Sequence, residues 1–252
     1  MHEPFFLENS AKKGLVVFVH GFMGSPQQFA GLAQSVHAMG YSAASLLLPG
    51  HGSTVKEFSA ATMENWQDHV HAEIGRLSCG HADICLVGHS MGGLLAINTA
   101  IKHSGHVRCL FLIACPFKLK YLSVQTIKTK LQQAFYRKSN PVKSAYLLGN
   151  SVTLSPSLIW RFAKPTAELY RLINITKDNL HKVRVPVTAV YSSSDETVST
   201  DSLGMLKNRL DQAPFESVTL SDSLHAYYPE HERSLIEAAL INAVSQAIHG
   251  LF

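Results

Sequence analysis

Two periodicities alternate along the chain. Gly14 to Val19 (GLVVFV) is a continuous apolar, β-branched run, the form of a strand buried on both faces, and Ser25 to Met39 carries Phe29, Leu32, Ala33 and Val36 at helical spacing. The pattern repeats with strand Tyr41 to Leu48, ended by Pro49-Gly50-His51-Gly52, and helix Thr62 to Leu77, capped by Thr62 and containing Trp66, Val70 and Ile74. Strand Asp83 to Val87 then leads into helix Met91 to Lys102, whose inner side is small (Gly92, Gly93, Ala96, Ala100) and permits close approach to a sheet. Val107 to Ala114 is another buried strand. From Pro116 to about Val183 the pattern is mostly helical without a convincing central strand, and the alternation returns at Pro186 to Tyr191, Ser202 to Leu210, Phe215 to Leu220 and Arg233 to Ile248.

Repeated strand-helix units predict an α/β fold: a mainly parallel central sheet, right-handed crossovers and flanking helices. The break in the alternation predicts a core built from residues 1–115 and 184–252 with a helical cap inserted at 116–183. Ligands of such sheets bind at the carboxyl ends of the strands, so the insertion would stand over those loops.

One strand-end loop announces its chemistry. Gly88-His89-Ser90-Met91-Gly92 joins an apolar strand to a small-residue helix, the sequence form of a nucleophile elbow. Ser90 would sit on a strained turn with its hydroxyl exposed, and bulk at the flanking glycines would strike neighbouring backbone. The Met91 N–H, at the helix N-terminus, would face a developing oxyanion. A serine hydroxyl is weak until a base takes its proton, and the base must be oriented by an acceptor. Asp195 lies in the loop after strand Pro186 to Tyr191, and His225 in the loop after strand Phe215 to Leu220. Glu196, Asp222 and His231 compete for these roles, but Asp195 and His225 jointly occupy separate loops at the sheet edge expected for Ser90. A second oxyanion donor is available in His20-Gly21-Phe22-Met23-Gly24, where Gly21 allows a tight turn that directs the Phe22 N–H to the Ser90 pocket. His20 is read as bracing that loop, and His51 as structural.

Composition narrows the setting. With 252 residues, 46% hydrophobic and 16% charged, the chain can bury one large core, and disorder is not expected. The net charge of +4 comes from scattered Lys and Arg, which implies no nucleic-acid partner. No apolar run approaches the roughly 20 residues of a membrane span, and Met1-His2-Glu3-Pro4 does not begin a secretory signal, so a cytoplasmic location is expected. Cys79, Cys85, Cys109 and Cys115 fit that address, and no Cys-x-x-Cys pair or histidine pair has metal-ligand spacing; neither a metal nor a cofactor is expected. The sequence sets no oligomeric state.

Five segments in fixed order resemble the α/β-hydrolase superfamily, specifically its small capped carboxylesterases and monoacylglycerol lipases. They are His20-Gly21-Phe22-Met23-Gly24-Ser25-Pro26, Leu48-Pro49-Gly50-His51-Gly52, Gly88-His89-Ser90-Met91-Gly92-Gly93, Ser194-Asp195-Glu196-Thr197-Val198 and Leu224-His225. The resemblance implies Ser90 as nucleophile, Asp195 as orienting acid, His225 as base, and the Phe22 and Met91 amides as oxyanion hole. It implies a small-molecule ester as substrate, cleaved through an acyl-enzyme on Ser90. One departure is Leu224, where such proteins often carry a smaller residue before the base. Carbon-carbon bond hydrolysis, acyl transfer and, from another class, ligand sensing on a hydrolase fold are the competing functions. The stretch Phe117 to Arg137 sets Leu119, Leu122, Ile127, Leu131 and Phe135 among lysines and arginine. As an amphipathic cap helix it would pack its apolar side inward, and any membrane contact would be peripheral, through the cap.

Overall fold

The computed structural model describes residues 2–120, 150–152 and 160–250. One sheet of seven strands runs in the order β1-β3-β2-β4-β5-β6-β7, formed by β1 (Phe5–Leu7), β2 (Leu15–Val19), β3 (Ser42–Leu46), β4 (Ile84–His89), β5 (Val107–Ile113), β6 (Val187–Ser192) and β7 (Phe215–Leu220). Only β1 is antiparallel, lying along the outer edge of β3; every other pairing is parallel, as the strand-helix alternation predicts. The described helices are α1 (Ala30–Ala38), α2 (Val55–Ala60), α3 (Met63–Ser78), α4 (Met91–Lys102), α5 (Ala163–Asn179), α6 (Asp201–Lys207) and α7 (Glu230–Ile248).

Strand alternation divides the core between two faces. Val16, Phe18, Cys85, Val87, Phe111 and Ile113 pack beneath α1 and α7, against Ala33, Val36, Ile236, Leu240 and Val244. Leu15, Val17, Leu86, Leu110 and Leu112 face the other way, against Trp66, Val70 and Ile74 of α3, Leu94 of α4 and Leu206 of α6. β2 and β4 are buried at every position, whereas β7, at the sheet edge, is mostly half-buried or exposed. That contrast explains why the central strands read as unbroken apolar runs.

Two elements escaped the sequence reading. β1 has only three residues, too short for a periodicity to show. The signal for α2 was present: the Thr54 hydroxyl accepts the Glu57 N–H while the Glu57 carboxylate accepts the Thr54 N–H, a capping box at the prescribed spacing. The helix expected from Ser25 begins instead as a 3-10 turn, Pro26–Phe29, before α1. Within 116–183, α5 buries Leu169, Leu172 and Ile173 in the same cluster as α4. The amphipathic basic stretch lies, from residue 121 onward, outside the described residues. Among the described residues no helix is long and apolar enough to cross a membrane.

Candidate active site

The turn between β4 and α4 places Ser90 at φ 52°, ψ −122°, a strained conformation for a side-chain-bearing residue. The strain is held by close packing on both sides. A Cβ at Gly88 would lie 2.5 Å from the Gly92 carbonyl oxygen and from the Gly93 Cα, and one at Gly21 would lie 3.0 Å from the Ser90 Cβ. Glycine is required at these sites because neighbouring atoms occupy the space. The contact at Gly21 also brings the His20–Gly24 loop directly against the elbow. Ser90 donates its N–H to Ile113 and accepts the Gly93 N–H, at 2.8 and 2.9 Å.

The loops after β6 and β7 bring Asp195 and His225 to this point. His225 Nδ1 lies 2.8 Å from Asp195 Oδ2, and His225 Nε2 lies 3.1 Å from Ser90 Oγ. A carboxylate only accepts, so the proton sits on Nδ1 and Nε2 is left to accept from the serine hydroxyl. The other carboxylate oxygen of Asp195 accepts the Thr197 and Val198 N–H groups at 2.7 and 2.8 Å. Burial alone would raise the Asp195 carboxyl; the adjacent His225 and the Val198 and Thr197 amides outweigh it and hold the group below the usual carboxylate value. The competitors are engaged differently: the Glu196 carboxylate accepts the backbone N–H of His225, and Asp222 pairs with His231 in solvent. Leu224 takes no left-handed backbone angle, so its bulk meets no conformational penalty.

Among the described residues neither the Phe22 nor the Met91 N–H has a hydrogen-bond partner. Two buried histidines shape the loop that carries Phe22. His20 accepts the Leu48 N–H on Nε2 and donates from Nδ1 to the Gly21 carbonyl, at 3.1 and 3.0 Å. His51 accepts the Met23 N–H on Nε2 and donates from Nδ1 to the Pro49 carbonyl, each at 3.2 Å. Met23 is thereby held at φ 61°. Each ring must be neutral, since protonation would turn an N–H donor against another donor. Burial, with His51 nearby, holds His20 well below the ordinary value, and burial lowers His51 from 6.5 to about 4.

This sets a pH dependence of stability. A histidine whose folded value is lowered takes up protons first in the unfolded chain, so stability falls as pH drops from 6.5 towards about 4. Each such histidine contributes up to about 1.4 kcal/mol per pH unit. Denaturant midpoints measured across that window are expected to fall steeply with acid, and His51→Gln to flatten the dependence while lowering the neutral-pH midpoint.

A second anchor was not anticipated from sequence. Glu232, buried at the start of α7, accepts the N–H groups of Ser221, Asp222 and Ser223 at 2.6, 2.9 and 2.7 Å, and the hydroxyls of Ser221 and Ser223. Burial pushes its carboxyl up, but the Ser223 hydroxyl and the Asp222 and Ser221 amides win and draw it down to about 2. Its contribution is complete above the ordinary carboxylate value near 4.5 and disappears as pH falls through about 2. Glu232→Gln would turn an amide N–H towards these donors. It is expected to cost about 2–3 kcal/mol in urea unfolding and to weaken the hold on the loop that presents His225.

Residues 10–232 match the hydrolase family described as serine aminopeptidase, S33. The chain belongs to that family. Its curated relatives include the thermostable monoacylglycerol lipase of Bacillus sp. (strain H-257), 25% identical over 236 residues, which span 93% of this chain and 90% of that protein. Among solved structures, one described under LipS and LipT, two metagenome-derived lipolytic enzymes, superposes with a TM-score of 0.76 at 20% identity, covering 97% of this chain and 98% of the other. The monoacylglycerol lipase of Paleococcus ferrophilus superposes at 0.73 with 15% identity, covering 96% and 98%. The α/β-hydrolase fold expected from the five motifs is therefore the one this family member adopts.

Proposed function

We propose that this protein is a serine ester hydrolase, with Ser90 as nucleophile, His225 as general base and acid, and Asp195 as the acceptor that orients it. The observation that carries the reading is the continuous Asp195–His225–Ser90 hydrogen-bond chain, at 2.8 and 3.1 Å, assembled from three separate strand-end loops. His225 takes the Ser90 proton as Oγ attacks the ester carbonyl. The Phe22 and Met91 amides bind the oxyanion; His225 then protonates the departing alcohol and activates water against the acyl-enzyme. Nothing in this sequence of steps calls for a metal or cofactor.

The substrate reading is a carboxylic ester, in line with the lipase relatives, and its acyl chain is proposed to be short to medium. Residues 116–183 are proposed as the cap over it. Two contacts support that role: Ser151 donates its N–H to the Met23 carbonyl at 2.9 Å, and Phe162 packs on Phe58, which in turn meets Phe22. This fastens the inserted segment to the oxyanion loop. A cytoplasmic site of action belongs to the same proposal and is supported by four free cysteines.

The family's description favours a second reading, release of an N-terminal amino acid, because the same triad can attack an amide. A panel of p-nitrophenyl acyl esters of increasing chain length, run beside aminoacyl p-nitroanilides, separates the two. Turnover of esters with little of anilides is expected; the reverse preference would overturn the ester assignment. A fluorophosphonate probe should label Ser90, whereas folded protein that resists labelling would argue for ligand sensing without catalysis.

A further inference from the structure

We propose that His89, the residue immediately before the nucleophile, is a positioning residue that fixes the base His225 through its backbone carbonyl. This rests on the reading of His225 as the base. β4 ends at His89, and strand alternation puts His89 on the same face as Cys85 and Val87, the face covered by α7. The loop carrying His225 runs over that face into α7. His89 Nε2 lies 2.8 Å from the His225 carbonyl oxygen. That oxygen is an acceptor only, so Nε2 carries the proton and donates it.

The two rings also pack together, with centroids 4.9 Å apart. On the far side of the His89 ring, Nδ1 is buried without a partner among the described residues, and it lies 3.0 Å from where a Gly21 Cβ would stand. His89 therefore stands between the Gly21 loop and the base loop, bonded to the backbone of the base and leaving no room for a side chain at Gly21. Burial, then the neighbouring His225, lower its own value to about 3, so it remains a neutral donor while His225 cycles through its charged form. The titratable groups near it are His225, beyond that ring Asp195, and, on the other side, His20. Tyr228 donates its hydroxyl to the same carbonyl at 3.1 Å, and Glu196 accepts the N–H of His225 at 3.0 Å.

The backbone of the base is thus gripped from both sides of its peptide groups, and His89 supplies the grip that comes from the nucleophile's own strand. Ser90 and the donor that aligns its base are consecutive residues. A displacement of the elbow therefore carries the base along with it, and the 3.1 Å contact between Ser90 Oγ and His225 Nε2 is preserved.

The test uses the whole protein and p-nitrophenyl esters. His89→Phe keeps a ring and removes the donor; it is expected to lower kcat by about 10- to 100-fold with little change in KM, because misplacing a reacting group by a fraction of an ångström slows chemistry more than binding. His89→Gln, which restores an N–H donor, should recover part of that loss. Tyr228→Phe removes the other donor to the same oxygen, and the double variant should lose more than the product of the single losses. His89→Phe that folds normally and keeps kcat within about twofold would overturn the proposal. So would strictly multiplicative losses without rescue by glutamine. If His89→Phe does not fold, His89→Leu, which also removes the donor, takes its place in the same comparison with His89→Gln and Tyr228→Phe. Ser90→Ala measured alongside separates the failures: an active Ser90→Ala removes the catalytic reading itself, whereas an inactive one beside a fully active His89→Phe removes only this inference.

Discussion

Ser90→Ala is expected to abolish ester hydrolysis, lowering kcat by about four to six orders of magnitude while the fold persists. In the proposed mechanism the hydroxyl is the group that bonds to substrate. Without it His225 has no proton to take, and Asp195 orients a base with nothing to activate. The Phe22 and Met91 amides would still polarise a bound carbonyl, so a rate above the uncatalysed one is expected to remain. Stability should change little, since alanine experiences the same φ of 52° as serine and removes no backbone bond of the elbow. Steady-state turnover of p-nitrophenyl esters together with thermal unfolding checks both parts. Activity equal to that of the unsubstituted protein would sink the assignment.

The largest expected effect on folding belongs to Gly92→Ala. A Cβ at this position would stand 2.0 Å from the Val19 carbonyl oxygen and 2.6 Å from that of His20, and both obstacles are backbone. No rotamer relieves such an overlap. Either α4 must lift from β2 or the end of β2 must bend, and β2 is buried along its whole length. Overpacking of ordinary cores costs about 1–3 kcal/mol, and this case should exceed it because rigid main chain, not a side chain, has to move. Loss of several kcal/mol, or no folded protein, is expected in urea titration. Any folded fraction should also be slow, because His20 opens the loop that carries the Phe22 amide. A midpoint within experimental error of the unsubstituted protein would show that α4 does not lie this close to β2.

The reach of the sequence follows from the range of each interaction. Strand and helix alternation is a local pattern, and it located the central strands to within a residue or two. Ser90, Asp195 and His225 could be chosen because each follows a strand, and in a parallel sheet every such loop opens at one edge. The small residues of α4 announced close packing. Local chemistry also marked α2, whose Thr54 and Glu57 pair was there to be seen.

What the sequence could not disclose depends on residues distant in the chain meeting in space. Nothing local marks Glu232 as the acceptor for three successive amides of the Ser221–Ser223 loop, because that role exists only once the loop curls back on the first turn of α7. His89 looked like the variable position of a short motif. It becomes a donor to His225 only when β4 and the loop after β7 converge across 136 positions of sequence. His20 and His51 read as structural, yet their tautomers follow from the Leu48 and Met23 amides that the folded loops aim at them. By itself the sequence determined the layered α/β architecture and the elbow, and placed Ser90, Asp195 and His225 on separate strand-end loops, since periodicity and turn chemistry are written in neighbouring residues. Tertiary structure alone decided which buried carboxylates and imidazoles hold those groups in place, because a buried polar group takes its partner from whatever the completed fold presents to it.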